Sequence, residues 1–239
     1  MRESRAYFLP SHIGFINTTS RESLVTQLSK DIAKILESSI QKEGRASLAV
    51  SGGRTPIPLF VELSKFNLDW SKVELTLADD RWVDSDDDAS NERLVRQYLL
   101  KNKATTARFI PLKNEERTAK IGQIKSEKTF KEIKLPLDVI VLGMGSDGHT
   151  ASLFPCSNEL TEAMDPNYPN FLISTNPKNA PYERISLSAK TISNSKNIYL
   201  HLNGSEKLQI LETALSLKDI NKMPIYNFLK KELDIYWSP

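Results

Sequence analysis

Residues 137 to 155 read LDVIVLGMGSDGHTASLFP, and no other stretch restricts the fold as strongly. Leu137, Val139, Ile140, Val141 and Leu142 form an apolar run too short for a helix and rich in β-branched side chains, the pattern of a strand buried on both faces. The run stops at Gly143, Gly145 and Gly148. Glycines clustered there let backbone N–H groups approach a ligand and permit positive φ angles. In an open α/β sheet the carboxyl end of a central strand is where ligands bind. Asp147 and His149 stand at that place. A neutral imidazole takes up a proton near physiological pH, and a carboxylate beside it holds the tautomer and stabilises the cation. A second reading is open on spacing alone: Asp147 closes a glycine turn and His149 caps a helix.

Around this stretch, strands alternate with helices, which predicts an α/β fold with a parallel-rich central sheet and helices on both faces. A short edge strand is expected near Ala6 to Leu9. Ser20 is a good N-cap, and Leu24, Leu28, Ile32, Ile35, Leu36 and Ile40 repeat at the helical period up to a stop at Gly44. Short strands are read at Ser47 to Val50, Val73 to Ala78, Phe171 to Thr175, Ile185 to Leu187 and Asn197 to Leu202. Leu233 to Trp237 reads as a final edge strand. Helices are read from Ser90-Asn91 onward, over Arg117 to Ile133, from Ser188 and from Ser205. Asn91 is either an N-cap or a ligand contact. Asn158 to Pro169 reads as a loop or frayed helix.

Two further stretches carry chemistry. Ser51-Gly52-Gly53-Arg54-Thr55-Pro56 follows a strand and exposes backbone donors, two hydroxyls and a guanidinium fork suited to phosphate oxygens. It lacks the Gly-Lys-Ser/Thr ending of a Walker loop and the spacing of a dinucleotide fingerprint. A glycine-rich connection with Arg54 in solvent is its plainer reading. Arg81 lies just past another strand end, on the rim expected for Arg54 and His149. Lys207 sits in the first turn of a helix, where positive charge opposes the dipole unless an anion lies nearby. Asp84, Asp86, Asp87 and Asp88 lack the glycine and glutamate of a calcium loop and read as a solvated segment. His201 alternates with apolar residues and reads as a packed or edge histidine.

Composition narrows the classes. With 32 basic and 30 acidic side chains the formal charge is +2, so the total implies no attraction to nucleic acid, and any anion site is local. One cysteine, Cys156, excludes an internal disulfide framework and fits a reducing compartment, so a cytoplasmic location is expected. No segment has the length and apolarity of a membrane span. The 239 residues predict one domain over 1–239.

In these motifs the chain resembles the 6-phosphogluconolactonases and, through them, the glucosamine-6-phosphate deaminase/isomerase fold group. The resemblance is carried by the segment from Ser51 to Pro56, by Asp80 to Val83 with Ser90-Asn91, and by the segment from Gly143 to Pro155. It extends through Pro181 to Ser186 and Gly204 to Lys207. It implies a phosphosugar cleft in which His149 is general base and Asp147 supports it. Substrate contacts are implied at Ser51, Gly52, Gly53, Arg54, Thr55, Arg81, Gly145, Arg184 and Lys207. No cofactor or metal is implied; the partner is a small phosphosugar lactone, and the chain is a monomer or homodimer. The family often has Asp-Glu-Arg-Trp where this chain has Asp79-Asp80-Arg81-Trp82, which leaves the part played by position 80 open.

Rival chemistries fit less well. Amino-sugar phosphate deaminases carry a segment resembling Phe-Asn-Glu-Pro after the histidine, whereas here Ser152-Leu153-Phe154-Pro155 offers no carboxylate. No Gly-x-Ser-x-Gly elbow is present for a serine hydrolase, and three histidines with one cysteine do not make a zinc site. A non-catalytic phosphosugar sensor would keep the anion site but has no use for His149.

Overall fold

The computed structural model describes residues 8–239. Ala6 and Tyr7, from the expected first strand, lie outside them, and Phe8 and Leu9 form a turn. The strands are β1 (Ile13–Asn17), β2 (Ala46–Val50), β3 (Val73–Leu77), β4 (Asp79–Arg81), β5 (Arg108–Phe109), β6 (Val139–Leu142), β7 (Leu172–Thr175), β8 (Arg184–Leu187), β9 (Ile198–Asn203) and β10 (Leu233–Ser238). The α-helices are α1 (Arg21–Glu43), α2 (Ile57–Leu63), α3 (Asn91–Tyr98), α4 (Ala119–Phe130), α5 (Leu160–Ala163), α6 (Ala189–Ser193), α7 (Ser205–Leu217) and α8 (Tyr226–Leu229). Among the described residues no helix is long and apolar enough to cross a membrane.

Seven strands form a parallel sheet in the order β1-β10-β9-β6-β2-β3-β5. Strands β2, β3 and β6 are buried at every residue, as interior strands of a sheet covered on both faces; β6 is wholly apolar, while β2 buries Ser47 and β3 buries Glu74 and Thr76. Helix α1 lies across β2, β6 and β10. It is fixed at both ends by local chemistry. Ser20 Oγ accepts from the Ser23 N–H while Ser23 returns a bond to the Ser20 N–H, and Gly44 ends the helix with φ 77°. The last strand corrects the sequence reading: β10 lies between β1 and β9, and β1 takes the edge. Its neighbours are set by pairing with the opposite end of the chain, which a local pattern does not encode.

A second sheet, antiparallel in the order β4-β8-β7, has no counterpart in the sequence reading. Its first strand is Asp79-Asp80-Arg81, which has no strand propensity of its own and is extended by pairing with β8. That pairing sets Arg81 directly opposite Arg184.

The order of the large sheet places a crevice. From β2 the chain steps outward to β3 and β5; from β6 it steps the other way, to β9 and β10. The connections that leave β2 and β6 therefore diverge, and a cleft opens at their carboxyl ends. The amino end of β6 is anchored by a buried ion cluster. Asp138 accepts from the Ser47 N–H at 2.8 Å and pairs with Lys134 at 2.7 Å and Lys196 at 3.0 Å.

Candidate active site

The cleft is a cavity of about 270 Å³ whose walls come from both sheets. Ser51, Gly52, Gly53, Arg54 and Thr55 border it from the connection after β2, and Gly143, Met144, Gly145 and His149 from the connection after β6. Arg81 and Arg184 enter from the small sheet, and His201, Asn203 and Lys207 from the end of β9 and the start of α7. Of the eleven residues expected to act, ten line this cavity; Asp147 stands behind His149.

No helix begins at His149, so it is not a helix cap; the segment after β6 is a series of tight turns before α5. The His149 Nδ1 lies 2.5 Å from the Asp147 carboxylate, which also accepts from the His149 N–H at 3.1 Å. A carboxylate on Nδ1 leaves the lone pair of a neutral imidazole on Nε2, and Nε2 has no partner among the described residues. Burial pushes Asp147 up, but its bonds with the His149 ring and backbone N–H and the charge of the ring bring the carboxyl below its ordinary value. The imidazole stacks on Phe154 with centroids 3.9 Å apart. The Arg184 guanidinium lies 5.3 Å from the centre of the same phenyl ring, so one side chain orients both groups.

Gly145 serves that pair by having no side chain. A Cβ there would lie 2.2 Å from His149 Nδ1 and Cε1 and 2.7 Å from the Asp147 carboxylate. Its own N–H donates to the His149 carbonyl at 2.9 Å and is not available to a ligand. The free backbone donors lie across the cleft. Ser51 gives its N–H to the Val141 carbonyl at 3.0 Å, tying the ends of β2 and β6 together. The N–H groups of Gly52 and Gly53 have no acceptor among the described residues, and Gly53 holds φ 93°, a conformation that disfavours any side chain.

The cations are held with nitrogen to spare. Arg81 donates from Nη1 to the Ala89 carbonyl at 2.6 Å, and Arg184 from Nη2 to the Pro181 carbonyl at 3.2 Å, while both Nε groups are buried without a partner. Burial lowers the affinity of the Arg184 guanidinium for its proton; the Asp79 charge, 3.9 Å away, opposes this, and Arg81 adds to it. Two like charges opposite each other on paired strands repel, so the pair calls for an anion between or beside them. Lys207 donates to the Met144 carbonyl at 2.7 Å, and Arg54 reaches the cavity from an exposed turn with no acidic partner among the described residues.

Asp80 lies outside the cavity lining. It is buried and accepts from the N–H groups of Arg81, Asn91 and Glu92, which fixes the first turn of α3; burial still pushes its carboxyl up to about 7, with the nearby Asp79 charge adding. The shorter carboxylate at position 80 is therefore a structural clamp. The N-cap of α3 is Ser90, which accepts from the Arg93 N–H, while Asn91 borders the cavity under Gly52. Asp79, Thr150, His201 and Asn203 are polar lining residues that sequence reasoning did not select, and Asn91, read as either a cap or a ligand contact, lines the cavity too. Asp79, within the resemblance motif, was the most findable; it accepts from Ser152 Oγ at 2.5 Å.

Comparison with known proteins gives one consistent answer. The family model described as glucosamine-6-phosphate isomerases/6-phosphogluconolactonase matches residues 19–237. A 6-phosphogluconolactonase of Rhizobium meliloti is 41% identical over 91% of this chain and 95% of its own length, and one of Pseudomonas aeruginosa 38% identical over 97% of each. The crystal structure of a 6-phosphogluconolactonase from Shewanella baltica superposes with a TM-score of 0.93 at 45% identity, covering 97% of this chain and all of that one. The structure from Thermotoga maritima, at 22% identity and a TM-score of 0.77, shares the fold.

Proposed function

Because the chain belongs to the glucosamine-6-phosphate isomerase/6-phosphogluconolactonase family, we propose that it hydrolyses 6-phospho-D-glucono-1,5-lactone to 6-phospho-D-gluconate with His149 as general base. It is an enzyme of the lactone hydrolase class, and its place is the oxidative pentose phosphate pathway. The observation that carries the residue roles is the His149–Asp147 pair, its outer nitrogen free, in the same cleft as four cations.

A δ-lactone is an activated ester. Water attacks its carbonyl carbon, the carbonyl oxygen becomes an oxyanion, and the ring C–O bond then breaks. His149 Nε2 takes the proton from water as the new bond forms, and Asp147 stabilises the imidazolium. The same proton then passes to the departing ring oxygen, which becomes the hydroxyl of the product. The unpaired N–H groups of Gly52 and Gly53 are the donors available to an anionic oxygen. Arg54, Arg184 and Lys207 hold the phosphate, with Arg81 beside Arg184, and this remote binding orients the ring at His149.

A positioned base contributes roughly 10²–10⁴-fold. His149→Ala should lose a factor of that order in the enzymatic rate, read as acid release from freshly made lactone above the spontaneous background. Equal rates in variant and wild type would remove His149 from the mechanism. A chelator should leave the wild-type rate unchanged.

A further inference from the structure

Among the described residues, every buried side-chain nitrogen or oxygen without a partner belongs to one cavity. These atoms are Ser51 Oγ, Arg81 Nε, Arg184 Nε and both ring nitrogens of His201. The serine and the arginines fall within the phosphate-side reading given above. His201 does not, and it is the extreme case: 4% exposed, with neither nitrogen bonded to protein. An orphaned buried polar group costs about 1–3 kcal/mol, so native structures rarely keep two on one ring without a use.

The position of the ring indicates its use. His201 lies on β9 level with Tyr236 of β10, and one step beyond the Leu142–Leu200 pairing of β6 and β9, which sets it beside Gly143. Gly143 has open space where a side chain would stand, so the end of β6 puts no side chain between the buried imidazole and the cleft it borders. From there His201 shares the cavity with Met144, Asn203 and Lys207 on its own side and with His149 along the loop.

We propose that His201 is a substrate-contacting residue that hydrogen-bonds hydroxyl groups of the phosphosugar, donating from one ring nitrogen to one hydroxyl and accepting at the other nitrogen from a second. A neutral imidazole offers one N–H and one lone pair. A hydroxyl can partner either one, so a substrate with several hydroxyls can satisfy both nitrogens, whereas a phosphate oxygen offers no proton and leaves the acceptor nitrogen stranded. Burial favours the neutral form, pulling the ring down to about 4, and the anion already has Arg54, Arg184 and Lys207. The contact selects a polyhydroxylated substrate over a plain phosphorylated ester of the same length.

The inference rests on the lactone reading above, and its test separates the two. His201→Phe keeps the ring and deletes both nitrogens; His201→Asn restores one donor and one acceptor. With folding checked by thermal unfolding, kcat/KM for 6-phosphogluconolactone should fall roughly ten- to a hundredfold in the phenylalanine variant, mainly through KM, and recover in part in the asparagine variant. Competitive inhibition by inorganic phosphate should stay within twofold of wild type. The second arm needs no folded phenylalanine variant. In wild-type protein labelled with nitrogen-15 histidine, 6-phosphogluconate should move the His201 ring signals and inorganic phosphate should not. Wild-type kinetics in His201→Phe, phosphate inhibition weakening in step with KM, or ring signals unmoved by 6-phosphogluconate would each overturn the contact. A wild-type protein whose His201 signals respond to 6-phosphogluconate but which opens no lactone would sink the catalytic reading and leave the contact standing.

Discussion

Gly145 has no side chain because the imidazole of His149 and the carboxylate of Asp147 fill the space one would need. Adding a single methyl there should push the ring off its partner without touching the anion-binding groups. Gly145→Ala is expected to lower kcat by one to two orders of magnitude, about 1.4–2.7 kcal/mol of barrier, with KM little changed. Steady-state kinetics on the lactone checks this; a KM effect alone would place Gly145 in binding. The buried residues also give the cleft a pH signature. His201 has a folded value of about 4 against an ordinary 6.5, so the unfolded chain binds more protons between these values and stability is lost as pH falls from 6.5 toward 4. Its share is of order 3 kcal/mol at most. Asp80 acts in the opposite sense: its folded value of about 7 lies above the ordinary 3.8, so its share is full below 3.8 and is lost as pH rises through 7. The difference in unfolding temperature between wild type and His201→Phe isolates the first group. It should shift in favour of the wild type as pH rises from 4 to 6.5, and a pH-independent difference would deny the shift.

The elements divide into those that local sequence dictates and those that pairing dictates. Helix α1 was legible from its Ser20 cap, its 3.6-residue apolar period and its Gly44 stop. Strands β2 and β6 were legible as short, largely apolar runs, and β3 and β9 as short runs in which apolar residues alternate with Glu74 and Thr76 or with Tyr199 and His201. Strand β1 was missed, since Ile-Gly-Phe-Ile-Asn is short and carries a glycine, and β4 was missed because three polar residues become a strand only when β8 lies beside them. Strand β6 has an anchor that no periodicity reveals. Asp138, with its side chain 2% exposed, binds Lys134, Lys196 and the Ser47 backbone and so fixes where the strand begins. Asp138→Ala would take the nearer carboxylate from the buried Lys134 ammonium, leaving it Glu43 at 3.1 Å and the Ser39 hydroxyl, and should cost roughly 1.5–3 kcal/mol, read from denaturant unfolding. Burial raises the Asp138 carboxyl, but the Lys134, Ser47 and Lys196 bonds outweigh it and hold the group below its ordinary value. Its stabilising share is thus present above the unfolded value and is lost as pH falls through the folded one.

At the scale of the whole molecule, the cleft was predictable and its makeup only partly so. A switch in strand order between β2 and β6 opens a crevice in any doubly wound sheet, and two glycine-rich strand ends marked it in advance. His201 and Asn203 were hidden because an alternating strand end does not say which neighbour will leave a gap. Nor does the sequence show that Arg81 and Arg184 stand on a different sheet from the strand that leads to His149. That division has a mechanical outcome. On the proposed reading, a phosphosugar in the cleft would reach β4 and β8 as well as the loop after β6, and so would act as a rivet through the joint between two plates. Saturating 6-phosphogluconate should raise the melting temperature by an amount that follows RT ln(1 + [L]/Kd), about 2.7 kcal/mol at a hundred times Kd. Arg184→Gln should abolish most of the gain at the same concentration while the unliganded protein still melts cooperatively. The riveted protein would resist prying apart along that joint more than anywhere else on its surface.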